Sequence, residues 1–102
     1  MSRLEQLRKL AAVSPADPFT HYGVGLECAA LEHWAEALAA FEQVLGLDPR
    51  YSAAYLQKAR AELKLGRRDA AAGTLRAGIA VAQASGETHA ASEMQKTLEM
   101  MA

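Results

Sequence analysis

The sequence predicts an all-helical repeat protein of about six helices, and three observations support this fold class. Apolar residues recur at an interval of 34 positions, the distance that separates Pro15 from Pro49. Prolines and glycines divide the chain into helix-length segments. No segment shows the two-residue alternation of a half-buried strand. A period of this length indicates that similar structural units stack on one another.

The repeat is clearest in the apolar residues. The first copy contains Leu4, Leu7, Leu10, Ala11 and Val13. Steps of 34 residues then reach Leu38, Phe41, Val44, Leu45 and Leu47, and after them Ala72, Leu75, Gly78, Ile79 and Val81. Residues at matching positions are expected to pack in the same way in each unit.

The first three helices have clear start and stop signals. Ser2 and Glu5 form a capping box, which predicts a helix over residues 2–13 that ends before Pro15. Asp17 followed by Pro18 predicts a second helix that runs to residue 31. The third is predicted over residues 34–47, before Asp48-Pro49.

The last three helices are delimited mainly by glycines. We predict helices over residues 52–65, 68–84 and 88–101. Gly66 fits the left-handed position after a helix, and Ser85-Gly86 marks the next break. The connections are short, so successive helices should pack antiparallel.

Composition indicates one small domain. The 102 residues contain no apolar run of the ~18 residues that a membrane helix needs. Residues 1–13 lack the apolar centre of a signal peptide. Cys28 is the only cysteine and cannot form an internal disulfide. We therefore expect a soluble, cytoplasmic protein.

The net charge of −1 conceals a basic middle segment. Residues 1–49 carry a balance of −4, residues 50–76 carry +5 and residues 77–102 carry −2. The basic segment could attract an acidic peptide or favour self-contact, although solvated helix faces would look the same. Nucleic-acid binding is not expected, because no aromatic residues are interleaved with the cations.

The pattern resembles the tetratricopeptide repeat, whose signature is W-x2-L-G-x2-Y, A-x3-F and P. The corresponding residues of the first full unit are His21, Val24, Gly25, Cys28, Ala37, Phe41 and Pro49. Those of the second are Tyr55, Lys58, Ala59, Glu62, Ala71, Leu75 and Gln83. The resemblance implies a right-handed superhelix of antiparallel helix pairs. Its implied parts are a degenerate half repeat (1–16), two repeats (17–50 and 51–84) and a capping helix (85–102).

Lys58 and Glu62 depart from the family pattern, which normally has apolar residues at these positions. They are four residues apart and could pair on one helix face. Either the second unit is looser than the first, or this face is partly solvated; a functional buried pair is a further alternative.

The resemblance also implies a binding surface on the concave face, formed by the first helix of each pair. The candidate binding residues are Phe19, Tyr22, Leu26, Leu56, Arg60, Leu63 and Lys64. Tyr22 and Leu26 stand where the family's chaperone-tail binders have lysine and asparagine, which argues against that ligand. An alternative is that the sixth helix covers the groove with Met94, Leu98 and Met101.

Catalytic and metal-binding motifs are not recognised. His21 and Cys28 lie seven residues apart, which places their side chains roughly 10 Å apart along one helix. The three histidines have no metal-site spacing, and Gly23-Val24-Gly25 lacks the third glycine of a dinucleotide loop. We expect no enzyme activity, cofactor or metal.

The sequence thus predicts a protein–protein interaction module that binds a peptide or a partner helix on its concave face. The alternative is a homo-oligomeric scaffold that buries its groove or its terminal helices in self-association. The partner's identity does not follow from the residues.

Overall fold

The structure, a computed structural model, describes all 102 residues and contains six α-helices and no strand. The helices are α1 (Arg3–Val13), α2 (Pro18–Ala30), α3 (Trp34–Leu47), α4 (Ser52–Lys64), α5 (Arg68–Ala84) and α6 (Thr88–Met100). The predicted all-helical fold is confirmed, and each predicted helix end lies within one residue of the observed one. None of the helices combines the length and the apolar character needed to cross a bilayer.

Local hydrogen bonds explain where the first two helices begin. The Ser2 hydroxyl oxygen accepts from the Glu5 N–H at 3.1 Å, and the Asp17 carboxylate accepts from the Phe19 N–H at 3.0 Å. Pro18 occupies the first turn of α2, where no helical N–H bond is lost. The caps predicted from the sequence are confirmed.

Three helices end in the same kind of turn, which includes one residue with a positive φ. This residue is Glu32 after α2 (φ 61°), Gly66 after α4 (φ 76°) and Gly86 after α5 (φ 73°). In each turn the next N–H donates to a carbonyl five residues back, as in the bond from His33 to Cys28 at 2.8 Å. Glycine adopts this conformation without steric cost, whereas Glu32 does not.

The helices form a curved stack of two layers. Each helix packs against the next one along the chain, and α2 also contacts α4, which contacts α6. Helices α1, α3 and α5 do not pack against one another, although Arg8 of α1 forms an ion pair with Glu36 of α3. The helices α2, α4 and α6 therefore line the inner, concave side, and the others are spread over the outer side. The molecule measures 41 × 28 × 19 Å.

The core consists of two clusters. The N-terminal cluster contains Leu4, Val24, Cys28, Ala37, Ala40 and Phe41. The C-terminal cluster contains Leu56, Ala59, Ala71, Leu75, Ala82, Ala91 and Met94. Phe41 and Leu75, which occupy matching positions of the two repeats, are both fully buried. The expectation that these matching positions pack in the same way is confirmed.

Close helix contacts depend on glycine at two places. A Cβ atom at Gly25 would lie 2.5 Å from Cε1 of Phe41, so no side chain fits between α2 and α3 there. A Cβ atom at Gly78 would lie 2.5 Å from both Sδ of Met94 and Cβ of Tyr55. Gly78 therefore allows α5 to approach both α4 and α6.

The suggested pair of Lys58 and Glu62 does not form. Glu62 is 5% exposed, and its carboxylate accepts a hydrogen bond from the Thr74 hydroxyl at 2.7 Å. Lys58 instead faces Glu42 of α3, with an N···O distance of 4.0 Å. The two residues point to opposite neighbours because Glu62 lies on the side of α4 that packs against α5. The idea that this face is partly solvated is wrong for Glu62.

Candidate functional site

The concave groove is the surface formed by α2, α4 and α6 together. Tyr22, Ala53, Arg60 and Glu93 line a cavity in it. Phe19 and Leu26 are three and four residues from Tyr22 on α2, so helical spacing places them on the same face as Tyr22. Phe19 is 70% exposed and Leu26 is 40% exposed, although both are large and apolar. An apolar surface of this kind, next to a cation, is a feature of binding sites more than of solvated helix faces.

A small cavity, here named the seam pocket, lies in this groove between α4 and α6. Its volume is about 190 Å³. Leu56, Ala90 and Met94 form its apolar part, and Tyr22 of α2 forms another wall. Arg60 and Glu93 also line the pocket, from α4 and α6 respectively.

Tyr22 connects the groove to the core. Its ring packs at a tilt against Phe41, with the centroids 5.8 Å apart, and against Tyr51, with the centroids 5.0 Å apart. Burial raises the pKa of Tyr22 above its ordinary value of 10.0, so its hydroxyl stays protonated at neutral and mildly alkaline pH. Packing on both sides holds the ring in place at the wall of the seam pocket.

The two cations on the concave side are one turn apart on α4. Arg60 lines the seam pocket, whereas the Lys64 ammonium lies 5.6 Å from the centroid of the Trp34 ring. Neither residue takes part in an ion pair within the protein. Arg60 therefore faces the groove without an acidic partner of the chain itself, whereas Lys64 lies against Trp34 of α3.

The remaining predicted residues lie deeper. Leu56 is buried and belongs to the C-terminal cluster, so only its outer surface reaches the seam pocket. Leu63 is half-buried and packs against the same cluster, and it lines none of the cavities. Helical periodicity places Leu63 near the concave side, but the contact with the core accounts for its position.

The sixth helix does not cover the groove. Met94 is buried against α4 and α5, and Leu98 and Met101 pack on the C-terminal cluster. Since α6 contacts α4 but not α2, the groove stays open and α6 forms its third wall. Met94, Leu98 and Met101 do pack as core, as that alternative expected, but they leave the part of the groove along α2 uncovered.

The sequence analysis did not identify the residues of α6 that line the groove. His89, Ala90 and Glu93 line the seam pocket, as does Gln57 of α4. Thr88 begins α6 36 residues after Ser52 begins α4, because α5 is 17 residues long and α3 only 14. A strict step of 34 residues therefore fails to align α6 with α4. The predicted helix starts at residues 52 and 88 could have revealed the correct offset.

Cys28 and His21, the other polar side chains considered in the sequence analysis, are held by packing or hydrogen bonding within the protein. Cys28 is fully buried, and burial raises the pKa of its thiol from 9.0 to about 11. His21 donates from Nε2 to the Pro15 carbonyl at 2.7 Å. No three His, Cys, Asp or Glu side chains lie close enough together to hold a metal ion.

Comparisons with known proteins agree with this architecture. A protein-family model, described as tetratricopeptide repeat, matches residues 29–93. No curated protein matches the chain. The solution structure of a tetratricopeptide repeat domain protein from Salinibacter ruber is 33% identical in sequence, with a TM-score of 0.79, and the match covers 85% of this chain and 88% of that one.

Two complexes share the fold at lower identity. The TPR2B domain of yeast Sti1, solved with pHsp70, has a TM-score of 0.90 at 20% identity, and the match covers 96% of this chain and 78% of that one. PcrH, solved with the chaperone binding region of PopD, has a TM-score of 0.91 at 20% identity, with coverages of 96% and 74%. From the family match and the stacked helix pairs together, the chain belongs to the tetratricopeptide repeat family.

Proposed function

We propose that this protein is a protein–protein interaction module that binds a peptide or a helix of another protein in its concave groove. The observation that carries the proposal is the open groove itself: Phe19 and Leu26 are exposed on α2, and Arg60 and Lys64 of α4 take part in no ion pair. Apolar anchors supply most of the affinity at such surfaces, and charges supply orientation and specificity.

The fold neighbours support the same kind of role. The Sti1 domain was solved in complex with pHsp70, and PcrH in complex with the chaperone binding region of PopD. pHsp70 and PopD are partners of those two proteins and are not proposed as partners of this chain. For this chain, the proposal takes over only the general mode, in which a helical repeat presents a groove to a protein segment.

The test is charge reversal inside and outside the groove. We expect the double variant Arg60→Glu, Lys64→Glu to lose the proteins that the wild type captures from lysate of its source cell. A matched variant, Arg50→Glu with Arg76→Glu, changes the charge equally at exposed positions outside the groove and should keep them. Circular dichroism verifies that both variants stay folded. Equal capture by the wild type and the groove variant would contradict the proposal.

A second candidate function is a homo-oligomeric scaffold. It is favoured by apolar residues on the free side of α1, where Leu10 is 57% exposed and Val13 is 81% exposed. Light scattering at micromolar concentration separates the two candidates. A strict monomer there excludes stable self-assembly, whereas a defined oligomer that Leu10→Ser and Val13→Ser dissociate would support the scaffold.

A further inference from the structure

We propose that a second copy of this protein docks end to end with the first, so that α1 of one copy packs against the outer side of α6 of the other. The two helices then form a pair like α2–α3 and α4–α5, and the superhelix continues from one copy into the next. This inference goes beyond binding in the concave groove. It rests on the scaffold that is the second candidate function, and it specifies the two surfaces that meet.

Both ends of the stack lack a neighbouring helix within these 102 residues. Helix α3 lies between α2 and α4, and α5 lies between α4 and α6. By contrast, α1 packs against α2 alone, and α6 packs only against α5 and α4. Helix α1 is therefore the second helix of a pair without its first, and α6 is a first helix without its second. Two copies supply these helices to each other.

The outer side of α6 is the surface on which a second helix is expected. The side of α4 that packs against α5 contains Tyr55, Ala59 and Glu62. With the offset of 36 residues between the starts of α4 and α6, the matching residues are Ala91, Gln95 and Leu98. These three residues line two cavities of about 390 Å³ each, which follow one another along the boundary between α5 and α6.

The free side of α1 presents apolar residues to such a surface. Leu10 is 57% exposed, although Val44, which matches it in α3, is fully buried. Leu7 is half-buried, whereas the matching Phe41 is fully buried against α2, the first helix of its pair. Val13, about one turn beyond Leu10, is 81% exposed. The difference in burial arises because α1 has no first helix to cover this side.

Large and small side chains are exchanged between the two surfaces. Within the chain, Tyr55 of α4 packs against Gly78 of α5, where a Cβ atom would lie 2.5 Å from Cβ of Tyr55. Ala91 of α6 matches Tyr55, and Leu10 of α1 matches Gly78. The large residue is thus on the second helix instead of the first. Leu10 of one copy therefore fits over Ala91 of the other without overpacking.

Charge favours contact between opposite ends. Helix α1 has a balance of +2, from Arg3, Arg8 and Lys9 against Glu5, whereas residues 77–102 have a balance of −2. Two identical ends repel each other, so charge favours a head-to-tail contact over a symmetric one. The charged residues that line the cavities balance one another: they are Arg68, Arg76, Asp69 and Glu99.

Gln95 makes the contact between copies weaker than a contact inside the chain. It matches Gly25 and Ala59, at which small residues allow the paired helices to approach closely. We therefore expect reversible association with a dissociation constant that is micromolar or weaker. Because the contact joins unlike surfaces, association does not stop at a dimer, and the average mass continues to rise with concentration.

The test uses two variants that each block one end. Leu10→Glu and Gln95→Glu place a carboxylate on the α1 surface and on the α6 surface, at positions that are exposed in the single copy. Each variant alone should have a dissociation constant at least about tenfold higher than the wild type, because association then buries an unpaired charge. A 1:1 mixture should form a dimer and no larger species, since each variant keeps one intact end. Sedimentation equilibrium from about 10 μM to about 1 mM measures the masses.

The matched controls are Ala12→Glu and Lys96→Gln. Both change the charge by −1, as the two test variants do, at exposed positions on other sides of α1 and α6. They should associate as the wild type does. The variant Arg60→Glu, Lys64→Glu should also do so, because its substitutions lie outside both end surfaces. Circular dichroism verifies that every variant is folded.

Four results would overturn the inference. The first two are a wild type that stays monomeric up to about 1 mM and a mixture of the end variants that stays monomeric. The third is loss of association in the Arg60→Glu, Lys64→Glu variant, which would place the self-contact in the concave groove. The fourth is dissociation by Leu10→Glu but not by Gln95→Glu. Two α1 surfaces then meet symmetrically, so this inference is wrong and the scaffold stands. None of these results replaces the capture experiment, which tests the concave groove separately.

Discussion

At the scale of single residues, Gly25 and Phe41 form the tightest fit between α2 and α3. Phe41→Ala should reduce the free energy of unfolding by about 3–5 kcal/mol, because it leaves a cavity beside Gly25. Gly25→Ala should cost about 1–3 kcal/mol, because its new methyl group overlaps the Phe41 ring. Urea denaturation measures both changes.

The two changes should also be coupled. In the double variant Gly25→Ala, Phe41→Leu, the smaller side chain leaves room for the methyl group, so the cost should be less than the sum of the single costs. Additive costs, or a Phe41→Ala variant that melts within a degree or two of the wild type, would show that the ring does not fill this space.

Cys28 should make the protein less stable at alkaline pH. Burial raises the pKa of its thiol to about 11, so the folded state retains a proton that the unfolded state loses near 9.0. This contribution is complete below pH 9.0 and is lost as the pH rises toward about 11, at about 1.4 kcal/mol per pKa unit. Unfolding titrations across this range measure the slope.

The control for this prediction is Cys28→Ala. The cavity that it leaves lowers stability at every pH. The fall in stability with rising alkaline pH should nevertheless be smaller than in the wild type, because the thiol is missing whereas the tyrosines are common to both proteins. Native Cys28 should also react slowly with a thiol reagent. Fast labelling, or identical slopes, would mean that the thiol is accessible to solvent.

At the scale of secondary-structure elements, equivalent turns differ in one residue. Glu32 and Gly66 both have a positive φ, and only glycine adopts it without strain. We expect Glu32→Gly to stabilise the protein by about 1 kcal/mol and Gly66→Ala to destabilise it by about the same amount. Gly73→Ala inside α5, where a Cβ meets nothing within 4 Å, should be stabilising. A loss of stability in Glu32→Gly would contradict this account of the turn.

At the scale of the whole molecule, the two core clusters should respond separately to mutation. Leu75→Ala removes the centre of the C-terminal cluster and should accelerate amide exchange in α5 and α6 more than in α1 and α2. Phe41→Ala should give the opposite pattern, because stacked repeats interact mainly with their neighbours. Native-state hydrogen exchange makes the comparison. Equal acceleration in all six helices would instead show one fully cooperative unit.

Much of the fold could be predicted from the residues, because the relevant interactions are local. The caps at Ser2 and Asp17, the turn at Gly66 and the helical spacing of apolar residues all act within a few positions. The match between Phe41 and Leu75 follows from the repeat interval. Such signals determine where helices start and stop, and which of their faces is apolar.

The candidate site required the tertiary structure. Only the packing of α4 between α3 and α5 decided that Glu62 bonds to Thr74 and that Lys58 faces Glu42. Only the position of α6 decided that the groove is open and that Glu93 lines its pocket. By itself, the sequence determined the helices and their repeat, because these depend on neighbours in the chain. The structure decided how side chains from different helices meet, since that depends on helix packing over distances that no local pattern records.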